Sequence, residues 1–311
     1  LVAGAVGYGL NSILKLRPLH LATYLTPLSV AQVGGQPARY YVTGEKAPLI
    51  IELHAWGGNE NADVGSDRRF DMSVINKGWN FIRPRIAPYN SPDGCCSRKV
   101  IDTVKAASEF VRRRTPVEPS ATFVVGASGG GYTTLCAFMS GEIDAAGFIA
   151  WVPISDLVSW YAQHRSDNLG TDILQCTRSH DGQLNVDEAR RRSPITMPLP
   201  EAKRRLSIYA GINDGFDRTG SVLPTHAMRF FNVLSRHPIS EATIRDVLER
   251  RVGPDSAANR SLANGRRIHL DRKDDLIALT IFEGAHEFLV EETLRLIDDC
   301  VKANCGLPVV R

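Results

Sequence analysis

Short apolar runs rich in β-branched and aromatic residues recur along the chain, and stretches of helical period lie between them. Leu49-Ile50-Ile51-Glu52-Leu53 reads as a buried strand. Trp79-Asn80-Phe81-Ile82, Thr122-Phe123-Val124-Val125, Leu206-Ser207-Ile208-Tyr209-Ala210 and Leu279-Thr280-Ile281-Phe282 read the same way, and Phe148-Ile149-Ala150-Trp151-Val152 marks a further strand within about 145–153. Residues 100–114 place Val100, Val104, Ala107 and Val111 on one helical face, and Pro116 stops that helix. Residues 132–139 are helix-compatible, helices are expected near 225–236 and 240–252, and residues 287–303 close the chain as a helix. Alternating strands and helices predict an α/β fold with a mostly parallel central sheet. Two stretches interrupt the rhythm. Residues 155–203 are polar and basic and read as a lid or cap above the strand C-termini; residues 217–275 form a second insertion of two helices and then a polar loop. The expected organisation is an N-terminal extension over 1–46 and one α/β domain over 47–311.

A chain of 311 residues, 43% hydrophobic and 23% charged, has the composition of a soluble globular protein. The net charge of +3 gives no reason to expect nucleic acid or a membrane surface as partner, and no apolar run is long enough to span a bilayer. The six cysteines show neither CxxC nor a Cys/His cluster of zinc spacing, so no structural metal is expected. Bridges in an oxidising compartment are weighed slightly above six free thiols in a cytosolic protein, which makes a secreted or periplasmic location the expected one. Cys136, inside the predicted 132–139 helix, reads as a buried apolar filler.

The candidate chemistry lies at strand ends. Gly126-Ala127-Ser128-Gly129-Gly130 links a strand to a helix, the setting in which a sharp turn presents a serine hydroxyl above the sheet edge. A serine needs a base to take its proton and an acid to orient that base. Strand 206–210 runs into Gly211-Ile212-Asn213-Asp214-Gly215, and strand 279–282 into Glu283-Gly284-Ala285-His286-Glu287. Of eight histidines, only His286 directly follows a late strand and precedes the final helix. Asp214 is favoured as the acid over Asp217 because it follows its strand at once. The backbone N–H of Gly129 is expected to receive a developing oxyanion. A second donor should come from Leu53-His54-Ala55-Trp56-Gly57-Gly58, with Trp56 favoured over Ala55 and His54 bracing the loop.

On these segments, together with Gly78-Trp79-Asn80-Phe81-Ile82-Arg83-Pro84 and Gly220-Ser221-Val222, the chain resembles an α/β-hydrolase of the prolyl-oligopeptidase-like branch. The resemblance runs from about residue 47 to His286, and it points to a single-domain form similar to bacterial carbohydrate esterases. It implies a Ser128–His286–Asp214 triad, no metal or organic cofactor, and a half-cystine pair of Cys96 with Cys176. Peptidases of this branch carry a large substrate-filtering domain, for which the 46 residues before the first core strand leave no room; this favours an esterase. The expected activity is therefore serine carboxylesterase action on small acyl or methyl esters of a carbohydrate. Trp56, Trp151, Trp160 and Tyr161 are candidate sugar platforms, and Arg83, Arg85 and Arg190-Arg191-Arg192 are candidate carboxylate contacts. The alternatives are a small-peptide serine peptidase of the same fold and a non-catalytic binding protein on the same scaffold.

Overall fold

The structure, a computed structural model, describes residues 28–62, 69–117, 121–216, 220–303 and 305. The uninterrupted apolar runs become parallel strands covered on both faces, which is why they show no polar alternation. β3 (Leu49–Leu53), β4 (Asn80–Pro84), β5 (Thr122–Ala127) and β6 (Gly147–Trp151) are buried at every position, and β7 (Arg205–Gly211) and β9 (Ile277–Phe282) are buried along most of their length. These strands pair in parallel. With antiparallel β1 (Ser29–Val33), β2 (Gln36–Tyr41) and β8 (Ile268–Asp274), they form a nine-stranded sheet of order β1-β2-β4-β3-β5-β6-β7-β9-β8.

Side chains leave each strand with period two, so the sheet divides the core in two. Leu49, Ile51 and Leu53 face one cluster and Ile50 faces the other. The first cluster is covered by α2 (Arg98–Arg112), α3 (Gly129–Ser140), α7 (Thr225–Leu234) and α8 (Glu241–Arg250), the second by α1 (Phe70–Asn76) and α9 (Val290–Lys302). In α2 the face Val100, Val104, Ala107 and Val111 is fully buried, and Ser97 caps the first turn by accepting from the Val100 N–H.

Several expectations need correction. Residues 29–41 of the anticipated extension are two strands of the sheet, while residues 1–27 lie outside the described residues. The polar loop expected late in the second insertion contains β8, whose Asp271, Arg272 and Lys273 protect an exposed sheet edge. The cysteines pair as Cys95–Cys176, Cys96–Cys136 and Cys300–Cys305, not as Cys96–Cys176, and Cys136 is a bonded half-cystine rather than a filler. The cause is local: Cys95 and Cys96 both have positive φ, 47° and 57°, and this double left-handed step sends adjacent thiols in different directions.

The 155–203 segment forms a helical cap of α4 (Leu157–His164), α5 (Asn168–Cys176) and α6 (Val186–Arg191). It is fastened at several points. Cys176 ends α5 and ties it to the segment after β4, Tyr132 of α3 donates its hydroxyl to the Arg192 carbonyl (2.7 Å), and the Trp160 indole of α4 donates to the Ser221 carbonyl (2.8 Å). The base of the cap rests on a buried histidine. His226 Nδ1 accepts the backbone N–H groups of Ser155 (3.2 Å) and Asp156 (3.4 Å), so the ring is neutral with its proton on Nε2, facing Gln163. Burial pushes its pKa down to about 3 from 6.5. The unfolded chain therefore binds this proton first, and the His226 contribution is lost as pH falls from about 6.5 towards 3. His54 is lowered for the same reason and acts in the same direction. We expect the melting temperature to drop across that window by the equivalent of about a few kcal/mol, and His226→Gln to flatten the slope; calorimetry against pH measures both.

Candidate active site

β5 ends in the serine turn. Ser128 has φ 57° and ψ −119°, a conformation costing a non-glycine residue about 1–3 kcal/mol. The surroundings impose it: the Ser128 N–H donates to the Trp151 carbonyl (3.0 Å) and its carbonyl accepts the Tyr132 N–H (2.8 Å), opening α3. A Cβ on Gly130 would collide with the Leu53 carbonyl, so the helix approaches the sheet this closely only with glycine there. The Ser128 side chain thus stands half-buried at the positive end of the α3 dipole.

β7 and β9 are adjacent, and the loops after them are stitched by the Asn213 N–H on the Gly284 carbonyl (2.9 Å). This brings Asp214 under His286. Asp214 Oδ2 accepts the Nδ1 proton of His286 (2.7 Å), and Oδ1 accepts the Val222 N–H (3.2 Å). Asp214 is fully buried; burial raises its carboxyl pKa, and the His286 hydrogen bond opposes that rise. His286 keeps 23% of its side-chain surface, and its Nε2 has no hydrogen-bond partner among the described residues. Asp217 lies outside the described residues. One strand, β6, separates β5 from β7, so Ser128 and the Asp214–His286 pair emerge from the same edge, with β5 and β7 about 10 Å apart.

The loop after β3 turns back beside the serine. His54 accepts the Ile86 N–H on Nε2 (3.0 Å), so Nδ1 carries the proton and donates to the Ala55 carbonyl (3.0 Å); this histidine braces the loop. A Cβ on Gly129 would strike the Trp56 backbone nitrogen, which places the two N–H groups side by side. Neither has an acceptor among the described residues. Two adjacent, fixed, unaccepted donors beside a serine are what an oxyanion needs.

The outer residues are placed differently from the sequence expectation. Trp56 does wall the site, stacked on Tyr89 with centroids 4.4 Å apart. Trp160 and Trp151 are buried and offer no open face to a sugar ring, and Tyr161 is nearly as enclosed. The Arg85 guanidinium pairs with the Glu60 carboxylate (2.6 and 3.0 Å), keeps 41% of its side-chain surface and borders the cavity lined by Gly58, Pro88 and Asp172. Arg83 is buried against Glu52 (2.8 Å) and Asp71 (3.4 Å). Arg191 and Arg192 pair with Glu188. Three contributors were not anticipated. Tyr89 sits 2.9 Å from the Gly129 carbonyl and 3.3 Å from that of His54, linking elbow to oxyanion loop. Glu287 accepts the Ala285 N–H (3.0 Å) while paired with Arg266, which shapes the His286 loop. Asp172 of the cap accepts the Trp56 indole proton (2.9 Å). No cluster of three or more metal-binding side chains occurs among the described residues, and no described helix is long and apolar enough to cross a membrane.

Comparison with known proteins agrees with this layout. Residues 97–246 match the model of the prolyl oligopeptidase family, a segment that holds Ser128 and Asp214 but ends before His286. Solved structures align over most of the chain. A puromycin-hydrolyzing peptidase of Mycobacterium tuberculosis aligns at 15% identity and TM-score 0.55, over 91% of this chain and 40% of that one. Oligopeptidase B of Leishmania major gives 14% and 0.55, over 91% and 37%. Pyrococcus horikoshii acylaminoacyl peptidase gives 16% and 0.52, over 69% and 36%.

This is the α/β-hydrolase fold. Its serine turn, acid loop and histidine loop are the ends of β5, β7 and β9 described above. The chain spans about two fifths of the length of these structures. No curated protein sequence matches the chain.

Proposed function

We propose that the protein is a serine hydrolase that cleaves small peptide or related amide bonds through an acyl-enzyme. His286 Nε2 takes the Ser128 proton as Oγ attacks the carbonyl, and the N–H groups of Gly129 and Trp56 receive the oxyanion. His286 then protonates the departing amine, and a water activated by the same ring releases the acyl group. Asp214 holds the proton on Nδ1, which leaves Nε2 free to act as base. The observation carrying this reading is the 2.7 Å His286–Asp214 hydrogen bond on the sheet edge that presents the strained Ser128.

The similar structures are named as peptidases, which supports an amide substrate over the carbohydrate ester expected from sequence alone. The buried Trp160 weighs against a glycan platform as well. Three disulfides support a proposed secreted or periplasmic location. The test is a panel of aminoacyl and peptidyl p-nitroanilides, short p-nitrophenyl esters, and acetylated or methyl-esterified polysaccharides. Release from the anilides and simple esters, with none from polysaccharide, is the expected result. Turnover confined to the polysaccharide esters restores the esterase reading; silence on every substrate, with wild-type Ser128 inert, favours a binding scaffold.

A further inference from the structure

The cap touches the catalytic machinery through a carboxylate that the proposed reaction does not consume. Asp172 lies on α5, and its Oδ2 accepts the Nε1 proton of Trp56 at 2.9 Å across 116 residues of sequence. Trp56 supplies the second oxyanion N–H. Its ring is held on one face by Tyr89 (4.4 Å, interplanar 19°) and edge-on by Trp160 of α4 (4.8 Å, 68°). Both sides of this clamp are cross-linked. Cys176, one helical turn beyond Asp172, is bonded to Cys95, which follows Tyr89 in the same segment.

From these contacts we infer that Asp172 is a positioning residue for the oxyanion hole, acting through the Trp56 side chain. The inference rests on the serine-hydrolase reading. Its physical basis is preorganisation. Trp56 sits at the corner of a turn closed by the Gly58 N–H on the Ala55 carbonyl (2.9 Å), and the Trp56 N–H has no backbone acceptor among the described residues. An N–H stabilises developing charge only if it already points at the position the oxyanion will occupy. Anchoring the indole N–H to a side-chain oxygen of the cap restrains the residue and its backbone donor together. The cap is therefore part of the catalytic geometry, and its attachment sets how well the oxyanion is held. Asp172 also borders the cavity lined by Gly58, Asn59, Pro88 and Asn90, so direct contact with substrate is the rival role.

Kinetics on a p-nitrophenyl ester with four variants separate these roles. Asp172→Ala should lower kcat roughly 10- to 100-fold with KM within about twofold, the pattern of a misplaced transition-state donor. Asp172→Asn keeps an acceptor oxygen for the indole and should recover most of the loss. Trp56→Phe keeps the stack on Tyr89, lacks the donor and should resemble Asp172→Ala. In the double variant Asp172→Ala/Trp56→Phe the losses should not add. A KM effect with unchanged kcat, an Asn variant as impaired as Ala, or additive losses overturn the inference. The indole N–H resonance of Trp56, followed by NMR in wild type and Asp172→Ala, reports the contact without turnover. An indole signal that shifts on substitution, in a wild-type protein with no Ser128-dependent hydrolysis, overturns the functional reading and leaves the contact standing. An unshifted signal overturns the inference alone.

Discussion

Ser128→Ala is expected to reduce kcat by about five to six orders of magnitude, leaving only the rate that the oxyanion donors and substrate binding supply. The three residues that follow it, Gly129, Gly130 and Gly131, carry no side chain that could replace Oγ. The fold should survive: alanine fits the same space and keeps the φ of 57° that the Trp151 and Tyr132 hydrogen bonds impose. Ser128→Gly should be equally inactive but more stable, by about 1 kcal/mol, because glycine adopts that φ without strain. Paired kinetics and thermal melts measure both effects. A Gly variant no more stable than Ala places the cost of the turn elsewhere than in the serine backbone.

Asp214→Asn is expected to lower kcat by about four orders of magnitude. A carboxylate accepts only, so it fixes the His286 proton on Nδ1; an amide turned to donate there forces the proton to Nε2, and the base is lost. The residue is fully buried, so water does not take over its place. The effect should be on kcat, with KM little changed, and kcat/KM against pH should lose the limb that reports the histidine base. Asp217→Asn should retain activity within about twofold; a loss at Asp217 comparable to that at Asp214 would transfer the acid role to Asp217.

The parallel strands were legible because burial on both faces requires continuous apolar runs, and β3, β5 and β7 have them. The positions of the serine turn and of His286 were legible for a related reason: each sits directly after such a run, so finding the strand finds the side chain. β1, β2 and β8 were not. They are edge or near-edge strands, half-solvated, with Arg39, Arg272 and Lys273 among them, and their pattern is that of a polar loop. Cysteine pairing escaped because two adjacent thiols diverge only through the backbone angles of Cys95 and Cys96, which sequence does not display. Trp160 looked like an open sugar platform because residue type says nothing of burial. Asp172 had no signal, since its meaning lies in a contact with Trp56 that only the folded cap creates.

The central claim is that Ser128 is a nucleophile activated by His286. The most direct measurement is labelling of the intact protein with a fluorophosphonate, followed by peptide mapping of the adduct by mass spectrometry. The account predicts stoichiometric modification at Ser128, absent in Ser128→Ala and strongly slowed in His286→Ala. Modification at another residue, or none in protein shown to be folded by its melt, contradicts it.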